Sequence, residues 1–178
     1  METIRALDNS IFYYLLRDDG TFPNNAHLPA ILYKGVWKSS SKNLRKFAIQ
    51  QLDLHAWQNA WVSGILKRHH YHSTAHEVLV AVRGATRLQL GGKNGVVLDF
   101  EKGDVLVIPA GVAHKNIRLF SPWFRCVGAY PEGQFYDICY GKRGERPQTD
   151  KAIEKVQLPT QDPVFGFRGP LLEQWHVK

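Results

Sequence analysis

The chain has 178 residues, of which 44% are hydrophobic and 22% charged, a composition typical of one soluble globular domain. It has neither the run of ~20 apolar residues that a membrane-spanning helix needs nor the basic and apolar regions of a secretory signal, so we predict a cytoplasmic protein. The net charge is +7, but the lysines and arginines are spread along the chain, which disfavours nucleic-acid binding and favours a solvated basic surface that attracts small anions.

Residues 1–60 are predicted to form an extension before the main body of the domain. Ile11 to Leu16 and Ala30 to Tyr33 are apolar runs of strand length, and the first of them ends at a turn signal. Apolar side chains at helical spacing predict an amphipathic helix over residues 42–54, with an N-cap in the serine run 39–41.

From about residue 61 the pattern changes to short β-rich runs separated by glycine turns. The predicted strands are Val78–Val82, Thr86–Leu90, Val96–Phe100, Val105–Ile108, Ile117–Leu119 and Phe124–Tyr130. Short strands at even spacing, without helices between them, predict an all-β sandwich or barrel. The core is assigned to residues 61–140, with a last strand at Phe135–Tyr140. Residues 141–178 are a proline-punctuated tail that wraps the surface, so 1–178 is predicted to be a single domain.

Four of the eight histidines fall between residues 69 and 76. In an extended strand His70 and His72 project from one face, because side chains alternate, and Glu77 brings a carboxylate on the next strand. His114 follows the Pro-Ala-Gly turn at 109–111 and is the candidate fourth ligand. Three imidazoles with one carboxylate suit Fe, Mn, Ni, Zn, Co or Cu, and do not suit Ca or Mg.

The two remaining histidines of the group are rivals of these ligands. His76 is adjacent to Glu77, and in a regular strand it faces the opposite way with Val78 and Val80. We therefore expect His76 to support the site or to contact a partner subunit. His69 alternates away from His70 and is expected to lie outside the ligand set.

The spacing of these residues resembles the two sequence motifs of the cupins. The first motif is matched at every fixed position, by Gly64, His70, His72, Glu77 and Gly84. The second is matched by Gly103, Pro109, Gly111 and His114, but Arg118 stands where that motif has asparagine. The chain also resembles the YjlB-type cupins of bacteria and fungi over nearly its whole length, on stretches that include His69–Leu79, Pro109–Asn116, Gly128–Pro131 and Tyr140–Pro147.

This resemblance implies an all-β fold, a cupin jelly-roll barrel with one or two helices in the N-terminal extension. It also implies that His70, His72, Glu77 and His114 bind one divalent transition metal ion, in agreement with the residue pattern itself. It implies no particular reaction, because a jelly roll hosts many chemistries.

The ligand set indicates a function class, because four protein ligands leave one or two positions open on an octahedral ion for dioxygen, water or a chelating substrate. We expect a metal-dependent, dioxygenase-like oxidoreductase that acts on a small, anionic, oxygenated molecule. The alternatives are a decarboxylase or isomerase, a non-catalytic metal or small-molecule sensor, and a storage protein whose metal is structural.

The candidate catalytic residues are Glu77, as a proton acceptor, and Arg118. Arg118 shares strand parity with His114 and could hold a substrate carboxylate in a bidentate grip. Arg68 and Asn116 are further candidates for substrate binding. We expect a homodimer, formed through edge strands or the long terminal arms.

Overall fold

The structure is a computed structural model, and it describes residues 3–5, 10–37 and 43–176. Ten strands and three helices occur in these ranges. They are β1 (Thr3–Arg5), β2 (Ile11–Leu16), β3 (Asn25–Tyr33), α1 (Leu44–Leu54), β4 (Trp57–Ser63), β5 (Glu77–Arg83), β6 (Ala85–Leu90), β7 (Val96–Glu101), β8 (Val105–Ile108), β9 (His114–Leu119), β10 (Arg125–Pro131), α2 (Gln148–Ile153) and α3 (Pro170–Trp175).

The strands form two antiparallel sheets, which confirms the predicted all-β class. One sheet has seven strands in the order β1-β2-β3-β8-β5-β10-β4, and the other has three in the order β7-β6-β9. All six strands predicted for the core are present within a few residues of their predicted bounds. From β3 onward, neighbouring strands of the larger sheet are not consecutive in sequence, as the long connections of a jelly roll require.

The barrel interior lies between the two sheets and is apolar. Leu79 and Ala81 of the larger sheet pack there against Leu88 and Phe100 of the smaller one. Glu77 shares the strand parity of Leu79 and Ala81, so the pleat of β5 directs a carboxylate toward the same interior. The alternation predicted for this strand is therefore present.

The outer face of the larger sheet is covered by helices. Val78, Val80 and Val82 of β5 pack there in one cluster with residues of α1 and α3. The main-chain N–H of Lys46 donates to the Asn43 side chain at 3.2 Å, so Asn43 caps α1. The serine run predicted as the N-cap lies outside the described residues.

Three features of the structure differ from the sequence-based expectation. No strand occurs over residues 135–140, where a single bridge joins Cys139 to Tyr71. Side-chain hydrogen bonds of Asp137, described below, replace strand pairing in that segment. β4 was not predicted, because residues 58–60 are polar or small and exposed. The tail contains two short helices, and none of the helices in the described ranges is long and apolar enough to cross a membrane.

Candidate metal centre

The four predicted ligands lie in one connecting segment and at the starts of two strands. His70 and His72 belong to the extended segment between β4 and β5, Glu77 is the first residue of β5, and His114 is the first residue of β9. The main-chain N–H of His70 donates to His114 O at 3.2 Å, and that of His114 donates to His70 O at 2.9 Å. This two-way bridge holds the two cupin-motif segments together.

A backbone bond from the Pro-Ala-Gly turn fixes the other histidine of the first motif. Gly111 has a positive φ of 90°, and a side chain there would collide with the Asn24 main-chain oxygen, so the position favours glycine. Its N–H donates to His72 O at 2.8 Å. The turn of the second motif therefore sets the position of His72.

The four side chains converge on one buried point. One ring nitrogen from each of His70, His72 and His114 lies within 4.8 Å of the other two. Oε2 of Glu77 is 3.2 Å from His114 Nε2 and 3.6 Å from His72 Nε2. All four residues are buried, with at most 6% of each exposed.

The tautomer of each histidine follows from the partner of its other nitrogen. The three Nδ1 atoms face main-chain carbonyl oxygens, which can only accept hydrogen bonds. Those oxygens belong to Arg68 (3.2 Å from His70), Val112 (3.2 Å from His114) and Asp137 (opposite His72). Each Nδ1 therefore carries a proton, and each Nε2 is left to bind a metal ion or a second proton. This is how metal-binding histidines are usually oriented by their surroundings.

The donor set fits a metal cation. Oε2 of Glu77 is buried and has no hydrogen-bond partner among the described residues. Nitrogen lone pairs that face a carboxylate oxygen at this distance cost free energy unless a cation, either a metal ion or a proton, lies between them. Three neutral imidazoles and one carboxylate suit a divalent transition metal.

The pKa values of these groups reflect their burial and their closeness to one another. Burial lowers the pKa of His70 to about 3, so this ring is neutral at neutral pH. For His72, burial is outweighed by the Glu77 carboxylate, and the pKa is raised. Burial would raise the pKa of Glu77, but His72 and His114 hold it well below its usual range, so Glu77 is ionised.

The second oxygen of Glu77 has its own partner. The Tyr130 hydroxyl donates to Glu77 Oε1 at 3.2 Å, and Trp61 Nε1 donates to the Tyr130 hydroxyl at 2.8 Å. Trp61 lies across Gly128, its partner in the β4–β10 register, where a Cβ would overlap the indole ring. The Tyr136 ring stacks on Tyr130 with centroids 4.4 Å apart.

A cavity of about 310 Å³ opens beside the four ligands. Its wall consists of Trp61, Ser63, Gly64, Ile65, Leu66, His70, His72, Glu77, Leu79, His114, Tyr130, Tyr136 and Ile138. Apart from the ligands, most of these side chains are apolar or aromatic, and no lysine or arginine is among them. The cavity therefore combines a polar end at the ligands with an apolar body, as small-molecule sites commonly do.

One wall of the cavity comes from the loop that follows β10. Tyr136 and Ile138 lie on this loop, on either side of Asp137. The Asp137 carboxylate accepts hydrogen bonds of 2.6 Å from both the main-chain N–H and the hydroxyl of Ser73, and it lies 3.3 Å from the Thr74 hydroxyl. Asp137 thus fastens the loop to the segment that carries His72.

The residues predicted to bind substrate lie elsewhere. Arg118 is exposed and stacks over Phe120 at 5.5 Å from the ring centroid, and Arg68 is exposed over Tyr140 at 4.8 Å. Asn116 is buried on β9, and its main-chain N–H donates to Leu66 O. None of the three lines the cavity, so their role in substrate binding stays a prediction without support from the cavity geometry.

The two rival histidines also lie outside the ligand cluster. His76 is buried on the outer face of the sheet, where its Nδ1 accepts from the Ala110 N–H at 3.0 Å and its ring packs on Trp175 at 4.7 Å. His69 packs on Phe22, and its two ring nitrogens are buried without hydrogen-bond partners among the described residues.

Sequence reasoning missed the residues that surround the ligands, namely Trp61, Tyr130, Tyr136 and Asp137. Strand parity could have indicated Tyr130, because it shares a face of β10 with Cys126, which is in the interior cluster. No local pattern indicates Asp137, because its partners Ser73 and Thr74 are more than 60 residues away in the sequence.

Comparison with known proteins identifies the family of this chain. The cupin domain family model matches residues 60–119. The uncharacterized protein YjlB of Bacillus subtilis is 41% identical over 162 residues, which are 91% of this chain and 94% of the relative.

Among solved structures, acireductone dioxygenase from Bacillus anthracis, which has a cadmium ion in its active centre, is similar with 16% identity. That match covers 53% of this chain and 64% of the dioxygenase, with a TM-score of 0.37. Pumpkin seed globulin is 22% identical over 44% of this chain, with a TM-score of 0.37, and the chain spans only 22% of the globulin's length. The two motifs, the two-sheet fold and the match to YjlB over most of both sequences show that the chain belongs to the cupins, as a single-domain member of the YjlB type.

Proposed function

We propose that this cupin binds one divalent transition metal ion through His70, His72, Glu77 and His114 and uses it to act on a small molecule. One observation supports this most directly. The Nε2 lone pairs of three histidines and the unpartnered Oε2 of Glu77 converge in a buried site that opens into a cavity.

The bound metal would supply a Lewis-acidic centre with an open position for an oxygen atom of the substrate or for dioxygen. The rest of the work falls to the chain. The apolar side chains of the wall offer water no hydrogen-bond partners, and Tyr130 holds Oε1 of Glu77 so that Oε2 faces the histidines. Burial and the Glu77 carboxylate raise the pKa of Tyr130, so its hydroxyl remains a proton donor.

The cavity wall favours a substrate with an apolar body. A cavity of about 310 Å³ suits a small molecule, and the wall offers Trp61, Leu79, Tyr136 and Ile138 as contacts. A carboxylate bound away from the metal would lose its hydration without gaining a cationic partner. We therefore expect an anionic substrate whose negative charge lies on the oxygen atom that would bind the metal ion, and not elsewhere in the molecule.

Among the reaction types open to such a site, we favour a dioxygen-dependent oxidation. Dioxygen is apolar and readily enters a cavity with an apolar wall, and iron and manganese are among the metals that a nitrogen-rich ligand set with one carboxylate suits. Decarboxylation and isomerisation use the same open position. A non-catalytic sensor of a metal or small molecule is the alternative from another functional class.

The first test is elemental analysis of untagged protein from its native host, compared with a His70→Ala/His114→Ala variant. About one equivalent of a transition metal that disappears in the variant supports the site. A metal-free wild-type protein that also takes up no Fe²⁺, Mn²⁺, Co²⁺, Ni²⁺, Cu²⁺ or Zn²⁺ would rule it out.

The second test measures dioxygen consumption by the iron-loaded and zinc-loaded proteins with a panel of small oxygenated compounds of apolar body. Consumption by the iron form alone supports oxidation. Turnover by both forms without dioxygen consumption would replace oxidation by an isomerase or decarboxylase reaction. Tight binding with no turnover under any condition would favour the sensor.

We also propose that the chain forms a homodimer. β9 is an edge strand, and four large apolar side chains on it or just after it are exposed, Ile117, Leu119, Phe120 and Trp123. An exposed apolar edge is a common site of strand pairing between chains. Light scattering after size exclusion should give twice the 20.3 kDa chain mass, and the single chain mass would contradict this.

A further inference from the structure

A second cavity, unrelated to the ligand cluster, is strongly basic. It has a volume of about 660 Å³ and is lined by Asn43, Leu44, Arg45, Val62, Val82, Arg83, Lys102 and Arg125. Four of these eight residues carry a positive charge, and no aspartate or glutamate is among them. The four come from separate parts of the fold, namely α1, β5, β10 and the turn between β7 and β8.

The four cations have no acidic partners among the residues that the structure describes. The lysine and arginine ion pairs found there are those of Lys34, Arg87 and Arg146. Glu101, the neighbour of Lys102 in sequence, accepts from Lys34 Nζ at 3.3 Å. The only side-chain hydrogen bond of the four that the structure shows is from Arg125 to the Phe124 carbonyl.

Two of the cations stand in an unfavourable arrangement. Arg83 of β5 and Arg125 of β10 are directly opposite each other in the antiparallel register, beside a bulge between Arg125 and Cys126. Opposed residues have their Cβ atoms only about 5 Å apart, and like charges in such pairs are destabilising. An arrangement that costs stability in the free protein is expected where a ligand of opposite charge relieves it.

The start of α1 adds a further attraction for anions. Leu44 and Arg45, the first residues of this 11-residue helix, line the cavity, and the first helical turn contains no acidic residue. The free N–H groups and the dipole of a helix N-terminus favour a negative charge. The N-terminus of α1 and the four cationic side chains therefore both favour a negative charge in this cavity.

The basic cavity and the metal-side cavity lie on opposite faces of one strand. Val62 of β4 lines the basic cavity, whereas its neighbours Trp61 and Ser63 line the cavity beside the ligand cluster. Side chains alternate along a strand, so the two cavities are separated by β4. A ligand in the basic cavity would not touch His70, His72, Glu77 or His114.

We propose that the cavity formed by Arg45, Arg83, Lys102 and Arg125 binds a small molecule that carries a phosphate or pyrophosphate group. Arginine forms bidentate hydrogen bonds with phosphate oxygens, and several unpaired cations around a concave surface match the charge of a phosphoester. A volume of about 660 Å³ is within the range of small-molecule sites. A nucleic acid backbone would call for a longer basic stripe than one concave site.

The experiment is a calorimetric titration with inorganic pyrophosphate at constant ionic strength. The test variant is Arg83→Gln/Arg125→Gln. The matched control is Arg143→Gln/Arg168→Gln, which removes the same charge from two exposed arginines outside the cavity. We expect saturable binding by the wild type, at least about tenfold weaker binding by the test variant, and less than a twofold change in the control. The His70→Ala/His114→Ala variant excludes pyrophosphate bound on the metal and should bind like the wild type.

Thermal unfolding without ligand supplies an independent readout. Removal of one opposed arginine pair relieves repulsion, so the melting temperature of Arg83→Gln/Arg125→Gln should equal or exceed that of the wild type at low salt. A marked fall in melting temperature would identify the two arginines as structural and overturn the proposal. No binding at about 10 mM pyrophosphate, or equal loss in test and control variants, would overturn it too.

A final arm uses an oligonucleotide of twelve deoxythymidines as the probe. Binding that is far tighter than that of pyrophosphate, falls steeply with salt and is lost in the test variant would replace the small molecule by a nucleic acid. Oligonucleotide binding that is no tighter than pyrophosphate binding, or that is equal in the wild type and the test variant, supports the small phosphorylated ligand.

Discussion

The hydroxyl of Tyr130 donates a hydrogen bond to Oε1 of Glu77, while Oε2 of the same carboxylate faces His114 and His72. The two oxygens of Glu77 thus have different environments, and rotation of the carboxylate would break the bond to Tyr130. Trp61 in turn donates to the Tyr130 hydroxyl and fixes its orientation. Tyr130 therefore positions a predicted metal ligand without itself being part of the ligand set.

Tyr130→Phe should weaken metal binding while leaving the fold intact. The change removes only the hydroxyl, and loss of such a supporting bond to a metal ligand typically lowers affinity roughly 10- to 100-fold. Competition with a chelator of known affinity measures this. The matched control is Tyr136→Phe, since Tyr136 stacks on Tyr130 and its hydroxyl has no hydrogen bond to any residue that the structure describes. Equal affinity of Tyr130→Phe and wild type would contradict the positioning role.

Metal addition should stabilise the wild type, and Glu77→Gln should lose most of this effect. Glutamine keeps the size of the side chain but removes the negative charge that faces the histidines. A ligand at 100 times its dissociation constant adds about 2.7 kcal/mol of stability, which for a chain of this size raises the melting temperature by roughly 5–10 °C. Scanning calorimetry with Zn²⁺ or Mn²⁺ checks this, with Ca²⁺ as the ion that should have no effect. A melting temperature unchanged by any transition metal would contradict it.

The ligand cluster could be predicted from the sequence because short-range patterns determine which residues belong to it. The i, i+2 spacing of His70 and His72 and the glycine turn before His114 are local patterns, and β5 follows the strand alternation that directs Glu77 inward. The bridge between His70 and His114 is the long-range contact that the paired motifs implied.

The residues that surround the cluster could not be predicted from the sequence, because their positions depend on contacts between distant segments. Arg118 has the parity of His114, but it is exposed and does not line the cavity, so strand parity alone does not establish that it reaches the site. Residues 135–140 have the composition of a strand, yet the Asp137 carboxylate binds Ser73 and turns the segment into a loop. Tertiary hydrogen bonds here override local propensity.

Asp137→Ala should destabilise the protein and loosen the cavity wall. The change leaves the N–H and hydroxyl of Ser73 without their acceptor, and an unsatisfied buried donor costs about 1–3 kcal/mol. Metal affinity should fall as well, because the Asp137 main-chain oxygen orients His72. Urea unfolding and chelator competition measure the two effects. Asp137→Asn, which keeps an acceptor oxygen, should have a stability and a metal affinity between those of the wild type and the alanine variant. If the alanine variant had wild-type stability and metal affinity, Asp137 would not be what holds the loop in place.

The stability of the metal-free protein should fall as the pH is lowered from 7 to 5, in part because of His76. Burial beside Trp175 lowers the pKa of His76 from 6.5 to about 3. Below pH 6.5 the unfolded chain binds a proton at this ring and the folded chain does not, so the contribution is present above the unfolded pKa and is lost as the pH falls toward 3. For this buried ring the loss between pH 7 and pH 5 is on the order of 2 kcal/mol.

His76→Asn isolates this contribution. Asparagine can still accept from the Ala110 N–H but does not titrate, whereas His69 and His70 are present in both proteins. The variant is expected to be less stable at pH 7, because it loses the ring contact with Trp175, yet its stability should fall less steeply toward pH 5. Urea unfolding of both metal-free proteins at pH 7, 6 and 5 measures the difference. Parallel curves would mean that His76 accepts a proton in the folded state, and therefore that α3 does not keep this ring buried in solution.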